Sequence, residues 1–375
     1  MADDTSVLEQ NRRSFLKAAG ATGVLGLAGC SGEDGGAGDG TDGEMDGGGT
    51  DGETDGGSTD EEMEPVTFLL NPAEDSVDIE LQYQPFVNYI EEEVGVEIET
   101  TQTADYAATF TELESGRGDL ADTSPSAIVA TENFAEPLGL RVAFGAEKYF
   151  SLITTPMDSD VETLQDLEGE EVAFGSTLSV SGGLVPSLMM KEAGFDIGDI
   201  PNGDAEDFTA TFTGDHFTAV DSAANSPRVA AAASGAFAVA DRVPREQFDE
   251  MSEEFVDISA EYGNTPTDPS EADMNLLSVS EPIPRAPIMV RSDWDHPERE
   301  AIETAILEAP DEAFQWEEEA LAEELGVDPD TEEGEDAISN HQIWFDDVVP
   351  ADDSDYDYIR TVLDELGLEF EDITE

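Results

Sequence analysis

The sequence predicts an α/β protein folded into two lobes with a ligand cleft between them. Three observations predict it. Short apolar runs alternate with amphipathic helical segments from residue 66 onward, and this order occurs in two successive blocks. The roughly 310 residues that follow also exceed what one core usually accommodates.

The first block opens with Val66-Thr67-Phe68-Leu69-Leu70, an apolar run ended by Asn71-Pro72, which reads as a buried strand and a turn. Phe86, Tyr89, Ile90 and Val94 recur at helical spacing before the breaker Gly95. Val96 to Thr100 alternates as a strand does. Tyr106 to Leu113 reads as a helix stopped by Gly116, and Asp119-Leu120-Ala121 begins another strand. A helix between successive strands makes a mostly parallel sheet the default.

In the second block Phe150 to Thr154, Val172-Ala173-Phe174, Thr209 to Thr213 and Phe237 to Ala240 read as strands. Leu184, Leu188 and Met189 mark a helix that ends before Gly194, and His216 to Ala232 reads as another. Ile288-Met289-Val290 returns to strand character. Pro297 to Leu325 and Tyr356 to Leu366 are helical with acidic outer faces. The lobes are therefore placed at 65–149 and 150–275, with 276–375 returning to the first lobe and adding C-terminal helices. The crossing segments near Lys148–Leu152 and Leu276–Pro287 are the expected hinges.

Charge narrows the partners. Fourteen Lys and Arg stand against 91 Asp and Glu in 375 residues, a formal net charge of −77. Such a chain lacks the basic footprint that nucleic acids and anionic membrane surfaces require, so neither is a direct partner. It repels itself at low salt, but at ~1 M salt the Debye length falls to about 3 Å. With 38% hydrophobic residues and 18 Phe, the acidity reads as halophilic adaptation of a folded protein and not as disorder.

The N-terminal stretch reads as address and tether. Asn11-Arg12-Arg13-Ser14-Phe15-Leu16-Lys17 resembles a twin-arginine export signal, and the apolar run Ala18 to Gly29 is too short to span a ~30 Å hydrocarbon core. Leu27-Ala28-Gly29-Cys30 resembles a lipobox, with Cys30 lipidated after removal of residues 1–29. Residues 30–64, rich in Gly, Asp, Glu and Thr, form an acidic disordered spacer. Cys30 is the only cysteine, which excludes a disulfide within the chain and a cysteine metal cluster. No cofactor is expected.

The informative segment is Phe174-Gly175-Ser176-Thr177-Leu178-Ser179-Val180-Ser181-Gly182-Gly183, where a strand ends, hydroxyl residues follow and a helix starts. Free backbone N–H groups and serine hydroxyls at a helix N-terminus favour an anion. The competing reading makes Ser179 or Ser181 simply a helix cap. His216, after Thr213-Gly214-Asp215, is the histidine best placed to touch a ligand. Tyr106 and Tyr149 stand at strand–helix junctions, where ligands of open α/β sheets collect. Met189, Met190 and Trp316 read as packing residues. Ser181, His216 and Asp241 can also be drawn as a hydrolase triad, but the segment lacks a Gly-x-Ser-x-Gly elbow. No P-loop, dinucleotide fingerprint or His-Glu-x-x-His helix is present.

Taken in order, Tyr83-Gln84-Pro85-Phe86, Ala104-Asp105-Tyr106-Ala107-Ala108, Gly118-Asp119-Leu120, Ser124-Pro125-Ser126 and Tyr149-Phe150-Ser151 resemble a known pattern. So do Leu164 to Gly169, Ser179-Val180-Ser181-Gly182 with Pro186, Gly214-Asp215-His216 and Ile283-Pro284. The pattern is similar to the phosphate/phosphite/phosphonate (PhnD-like) substrate-binding proteins of ABC importers, here as a haloarchaeal-type lipoprotein. The resemblance implies a type II periplasmic-binding-protein-like fold and no enzymatic activity. It implies a monomer, lipid-anchored outside the cell membrane, that hands a small oxyanion to ABC permease subunits.

It also implies an oxyanion held by Ser179, Ser181 and the backbone around Val180 and Gly182, with Tyr106, Ser126, Tyr149 and His216 adding donors. The family commonly has Thr where Val180 stands, and Ser176 or Thr177 is the candidate replacement for that hydroxyl. Where relatives that bind aminophosphonates place carboxylates, this chain has Arg245 and Ala286. An ammonium would meet a cation there, so phosphate, phosphite or a small phosphonate is the expected ligand. Arg245 either grips the oxyanion or sits in a surface ion pair. A sulfonate or carboxylate ligand on the same fold is the alternative.

Overall fold

The computed structural model describes residues 64–70 and 78–368. The export signal, Cys30, most of the acidic spacer and the Asn71-Pro72 turn lie outside the described residues. Within them the chain forms β1 (Val66–Leu70), β2 (Ile98–Gln102), β3 (Leu120–Asp122), β4 (Ala135–Val142), β5 (Lys148–Tyr149) and β6 (Ser151–Pro156). It continues through β7 (Glu171–Phe174), β8 (Thr209–Phe212), β9 (Val229–Gly235), β10 (Met274–Val279), β11 (Ile283–Pro284), β12 (Pro287–Arg291) and β13 (Asp347–Pro350).

These strands make a six-stranded sheet, β13-β4-β12-β3-β1-β2, and a five-stranded sheet, β10-β6-β9-β7-β8, joined by the two-stranded pair β11-β5. Neither large sheet is mostly parallel, contrary to the sequence expectation: two of five pairings are parallel in the first and two of four in the second. β1 runs parallel to β2 and β3, and β7 parallel to β8 and β9, where a helix returns the chain. β12 and β6 are antiparallel to their neighbours. The reason is topological. Each begins where the chain has just crossed from the other sheet, so it starts at the shared edge and runs away from it without a return helix.

Tyr149 pairs with Ile283, and Lys148 with Pro284, so the two crossings are hydrogen-bonded to each other. The edge they define lies at the C-terminal ends of β3, β4, β7 and β9, which is where open α/β sheets collect ligands.

Each sheet carries its own aromatic core. On the first, Phe86 stacks on Phe314 at 4.8 Å and meets Phe345 edge-on at 6.2 Å. On the second, Phe248 stacks on Phe255 at 4.2 Å, and Phe255 packs on Phe150 at 5.1 Å. A third cluster joins the two, placing Leu69, Phe110 and Tyr106 in one apolar contact network with Phe174, Leu188 and Tyr356.

The helix read from His216 to Ala232 ends at Asn225, and β9 takes the remainder. Ser226-Pro227 breaks the helix, since proline removes a donor and disfavours helical geometry before it. Alanine is a strong helix former, yet Ala231, Ala232 and Ala233 are fully buried in a strand between β6 and β7. The strand read at Phe237 to Ala240 is instead a pair of 3₁₀ turns, Ala236–Ala238 and Ala240–Arg242. Pro297 to Leu325 breaks into Arg299–Leu307, a 3₁₀ turn Asp311–Phe314 after Pro310, and Glu318–Leu325.

Candidate functional site

β7 delivers the chain to Phe174, and a loop leads to Ser179 at the start of a widened helical turn, Val180–Leu184, that continues into the Val185–Glu192 helix. Both amides of Gly183 and Leu184 reach back to the Ser179 carbonyl, at 2.9 and 3.0 Å. The Ser179 hydroxyl caps the turn by accepting from the Gly182 amide at 3.1 Å. First-turn amides such as those of Val180 and Ser181 have no acceptor inside their own helix.

His216 starts the helix behind this turn. A Cβ on Gly182 would lie 2.6 Å from His216 Cε1, so only glycine lets the imidazole in. The Gly235 amide donates to His216 Nδ1 at 2.9 Å. A neutral ring that accepts at Nδ1 carries its proton on Nε2. Burial holds the ring neutral, lowering its pKa to about 4 against the opposing pull of Asp215. His216 Nε2 therefore donates to the Ser179 hydroxyl at 3.1 Å. Having accepted from two donors, Ser179 has its own hydrogen left to give.

Tyr149, at the end of β5, is buried, and its hydroxyl is hydrogen-bonded to Ser181; burial raises its pKa and keeps the phenol protonated. Phe237 fills the space between, 4.8 Å from the His216 ring and 6.4 Å from Tyr149. Tyr106 opens the Tyr106–Glu114 helix, whose cap is Asp105 accepting from Ala108 at 2.8 Å.

Ser179, Ser181, His216, Tyr106 and Tyr149 line one cavity between the two sheets. The room it offers the centre of a water molecule is about 90 Å³. One water needs ~10–15 Å³ by that measure, so the cavity suits a small molecule of several heavy atoms.

Two arginines complete the wall, and sequence reasoning missed both. Arg141 donates to Asp122 at 2.7 Å and lies 3.8 Å above the Trp344 ring, while Tyr83 donates to the same Asp122 oxygen. Arg285 pairs with Glu261 at 3.1 Å, and its backbone carbonyl accepts from Tyr356 at 3.1 Å. Arg141, Arg285 and Glu261 line the cavity, as do Trp344 and Asn264. These residues come from loops and strand ends far apart in sequence, so no local motif gathers them. The available signal was that arginine is scarce in this chain.

Other sequence-derived candidates lie elsewhere. Ser126 donates its hydroxyl to the Leu178 carbonyl at 3.0 Å, a tie between the first sheet and the serine loop of the second. Val180 turns its side chain into the core, at 1% exposure. Gly182 spends its amide on Ser179. Arg245 is not in the cavity wall: its guanidinium holds the carbonyls of Gly263 and Thr265, at 2.9 and 3.0 Å, and the Thr265 hydroxyl at 2.9 Å. Nor does a triad assemble. His216 meets Ser179 and not Ser181, and its Nδ1 faces an amide donor where a triad requires a carboxylate.

Two mixed sheets, paired crossings and a donor-lined cavity between them define a two-lobe ligand-binding protein of the type II periplasmic class. The sequence pattern of ABC-transporter phosphonate periplasmic substrate-binding proteins matches residues 68–356, and the chain belongs to that family.

It is 32% identical over 163 residues to the phosphate-import protein PhnD of Mycolicibacterium smegmatis, covering 41% of this chain and 50% of that protein. The match thus spans about half the length of that curated relative. Among solved structures, a binding-protein component of an ABC phosphonate transporter from Pseudomonas aeruginosa superposes with a TM-score of 0.55 at 17% identity, over 81% of this chain and 87% of that one. PhnD1 from Prochlorococcus marinus, in complex with methylphosphonate, gives 0.54 at 14% identity over 80% and 98%. At these identities the likeness concerns the fold.

Proposed function

We propose that the protein is the extracytoplasmic substrate-binding component of an ABC importer, taking phosphate, phosphite or a small phosphonate into its interlobe cleft. The observation that carries this reading is the direction of the hydrogens. Ser179 accepts from Gly182 and His216 and so offers its own proton, and it does so beside first-turn amides of a helix. Oxyanions of phosphorus present several acceptors within one small volume, and a cluster of convergent donors matches them.

In a chain of net charge −77, the cavity wall carries two guanidinium groups and one carboxylate. Short hydrogen bonds of this kind survive molar salt, whereas long-range attraction does not. The protein closes its lobes about the β5–β11 crossings, performs no chemistry on the ligand, and works as a monomer held to the membrane through a lipid on Cys30 after twin-arginine export.

Thermal unfolding in molar salt with phosphate, phosphite, methylphosphonate, sulfate and an organic sulfonate tests the ligand class. A ligand at a hundred times its Kd stabilises by about 2.7 kcal/mol. A shift with a phosphorus oxyanion supports the reading. A shift with the sulfonate alone retains the fold and replaces the ligand.

A further inference from the structure

Arg285 brings more donors to the cavity than the protein uses. Its Nε donates to the Ala146 carbonyl at 2.9 Å, and one Nη2 hydrogen goes to Glu261 Oε1 at 3.1 Å. Glu261 is committed in turn, because its Oε2 accepts from the Ser259 hydroxyl at 2.6 Å. Both side chains are buried, at 7% and 6% exposure, and both line the cavity. A guanidinium has five N–H donors and no acceptor. Nη1 thus has hydrogens with no bonded acceptor among the described residues.

The position of these donors is informative. The Arg285 guanidinium lies 5.7 Å from the centroid of the Tyr149 ring, and the Tyr149 hydroxyl meets Ser181. One phenol ring therefore separates the surplus donors from the serine cradle. The cavity, at about 90 Å³, also has more room than a bare tetrahedral oxyanion fills.

Resting on the oxyanion reading above, we propose that Arg285 recognises a second acceptor on the ligand. The preferred substrate class is then a phosphonate whose short organic chain ends in a carboxylate. An ammonium terminus would meet the guanidinium while Glu261 is already engaged. An alkyl terminus would strip water from Arg285 and return no hydrogen bond. A carboxylate accepts two parallel N–H bonds from one guanidinium.

The test is calorimetric titration of the full chain in molar potassium chloride with phosphonoacetate, methylphosphonate and 2-aminoethylphosphonate. The wild type is expected to bind phosphonoacetate at least about tenfold more tightly than methylphosphonate, with 2-aminoethylphosphonate weakest. Arg285→Gln should bring the phosphonoacetate-to-methylphosphonate ratio down toward one. Because that change strands Glu261, the paired Arg285→Gln/Glu261→Gln variant is run beside it, and the wild-type ranking decides the matter if neither variant folds. Methylphosphonate binding as tightly as phosphonoacetate, or 2-aminoethylphosphonate binding best, overturns this inference and leaves the oxyanion reading standing. No binding of any of the three overturns this inference, and no binding of phosphate or phosphite in the same titration overturns the oxyanion reading as well.

Discussion

Ser179 and His216 work as one unit, because the Gly235 amide fixes which ring nitrogen of His216 carries the proton. Burial lowers the pKa of His216 from 6.5 to about 4. Between those values the unfolded chain binds more protons than the folded one, so the contribution of His216 is full above about pH 6.5 and is lost as pH falls toward about 4. A displacement of that size corresponds to about 3 kcal/mol. Denaturant unfolding of wild type and His216→Gln across this range should show the wild type losing that much more stability than the variant. Equal pH slopes for the two would remove the neutral, donating histidine from the account.

At the scale of elements, the site depends on how closely the helix of Ser179 approaches that of His216. The Gly182→Ala methyl would fall 2.6 Å from His216 Cε1 and 3.2 Å from the Gly175 Cα. The ring must yield, so this variant should fold yet bind phosphate or methylphosphonate at least about tenfold more weakly, as loss of a charge-assisted hydrogen bond does. Retained affinity would show that the imidazole does not need its present place.

The serine loop was legible in the sequence because it is local: a strand end, hydroxyls and a helix start lie within ten residues. Arg141, Glu261 and Arg285 were not legible, since strand β4, a 3₁₀ loop and the β11–β12 connection meet only in three dimensions. Arg245 was misplaced for the converse reason. Its guanidinium finds four acceptors in the neighbouring 262–265 loop, and sequence gives no sign of that pairing. Helix and strand order was readable from periodicity. The antiparallel crossings were not, because strand direction follows from where the chain enters a sheet and not from its residues.

On the whole molecule, a net charge of −77 sets the working conditions. Twelve ion pairs among the described residues involve only Arg as the cation, and most are exposed at one partner, where such pairs contribute little. Buried ones such as Arg141–Asp122 are of another kind, and removing one partner there costs about 3–5 kcal/mol. Stability should therefore fall steeply as potassium chloride is reduced below about 1 M, where the Debye length grows past 3 Å. Circular dichroism melts over a salt series measure this, and a melting point independent of salt would contradict it.

Calorimetric titration of phosphate and methylphosphonate into wild type and Ser179→Ala in molar salt tests whether a phosphorus oxyanion binds through Ser179. The wild type is expected to bind at one site per chain. The variant should bind about ten- to hundredfold more weakly, the loss expected when a hydrogen bond to a charged group is removed. Its folding loses about 1 kcal/mol through the missing cap and about 1–3 kcal/mol more because the buried His216 Nε2–H loses its acceptor. No heat from either ligand, or equal affinity in both proteins, would contradict binding through Ser179.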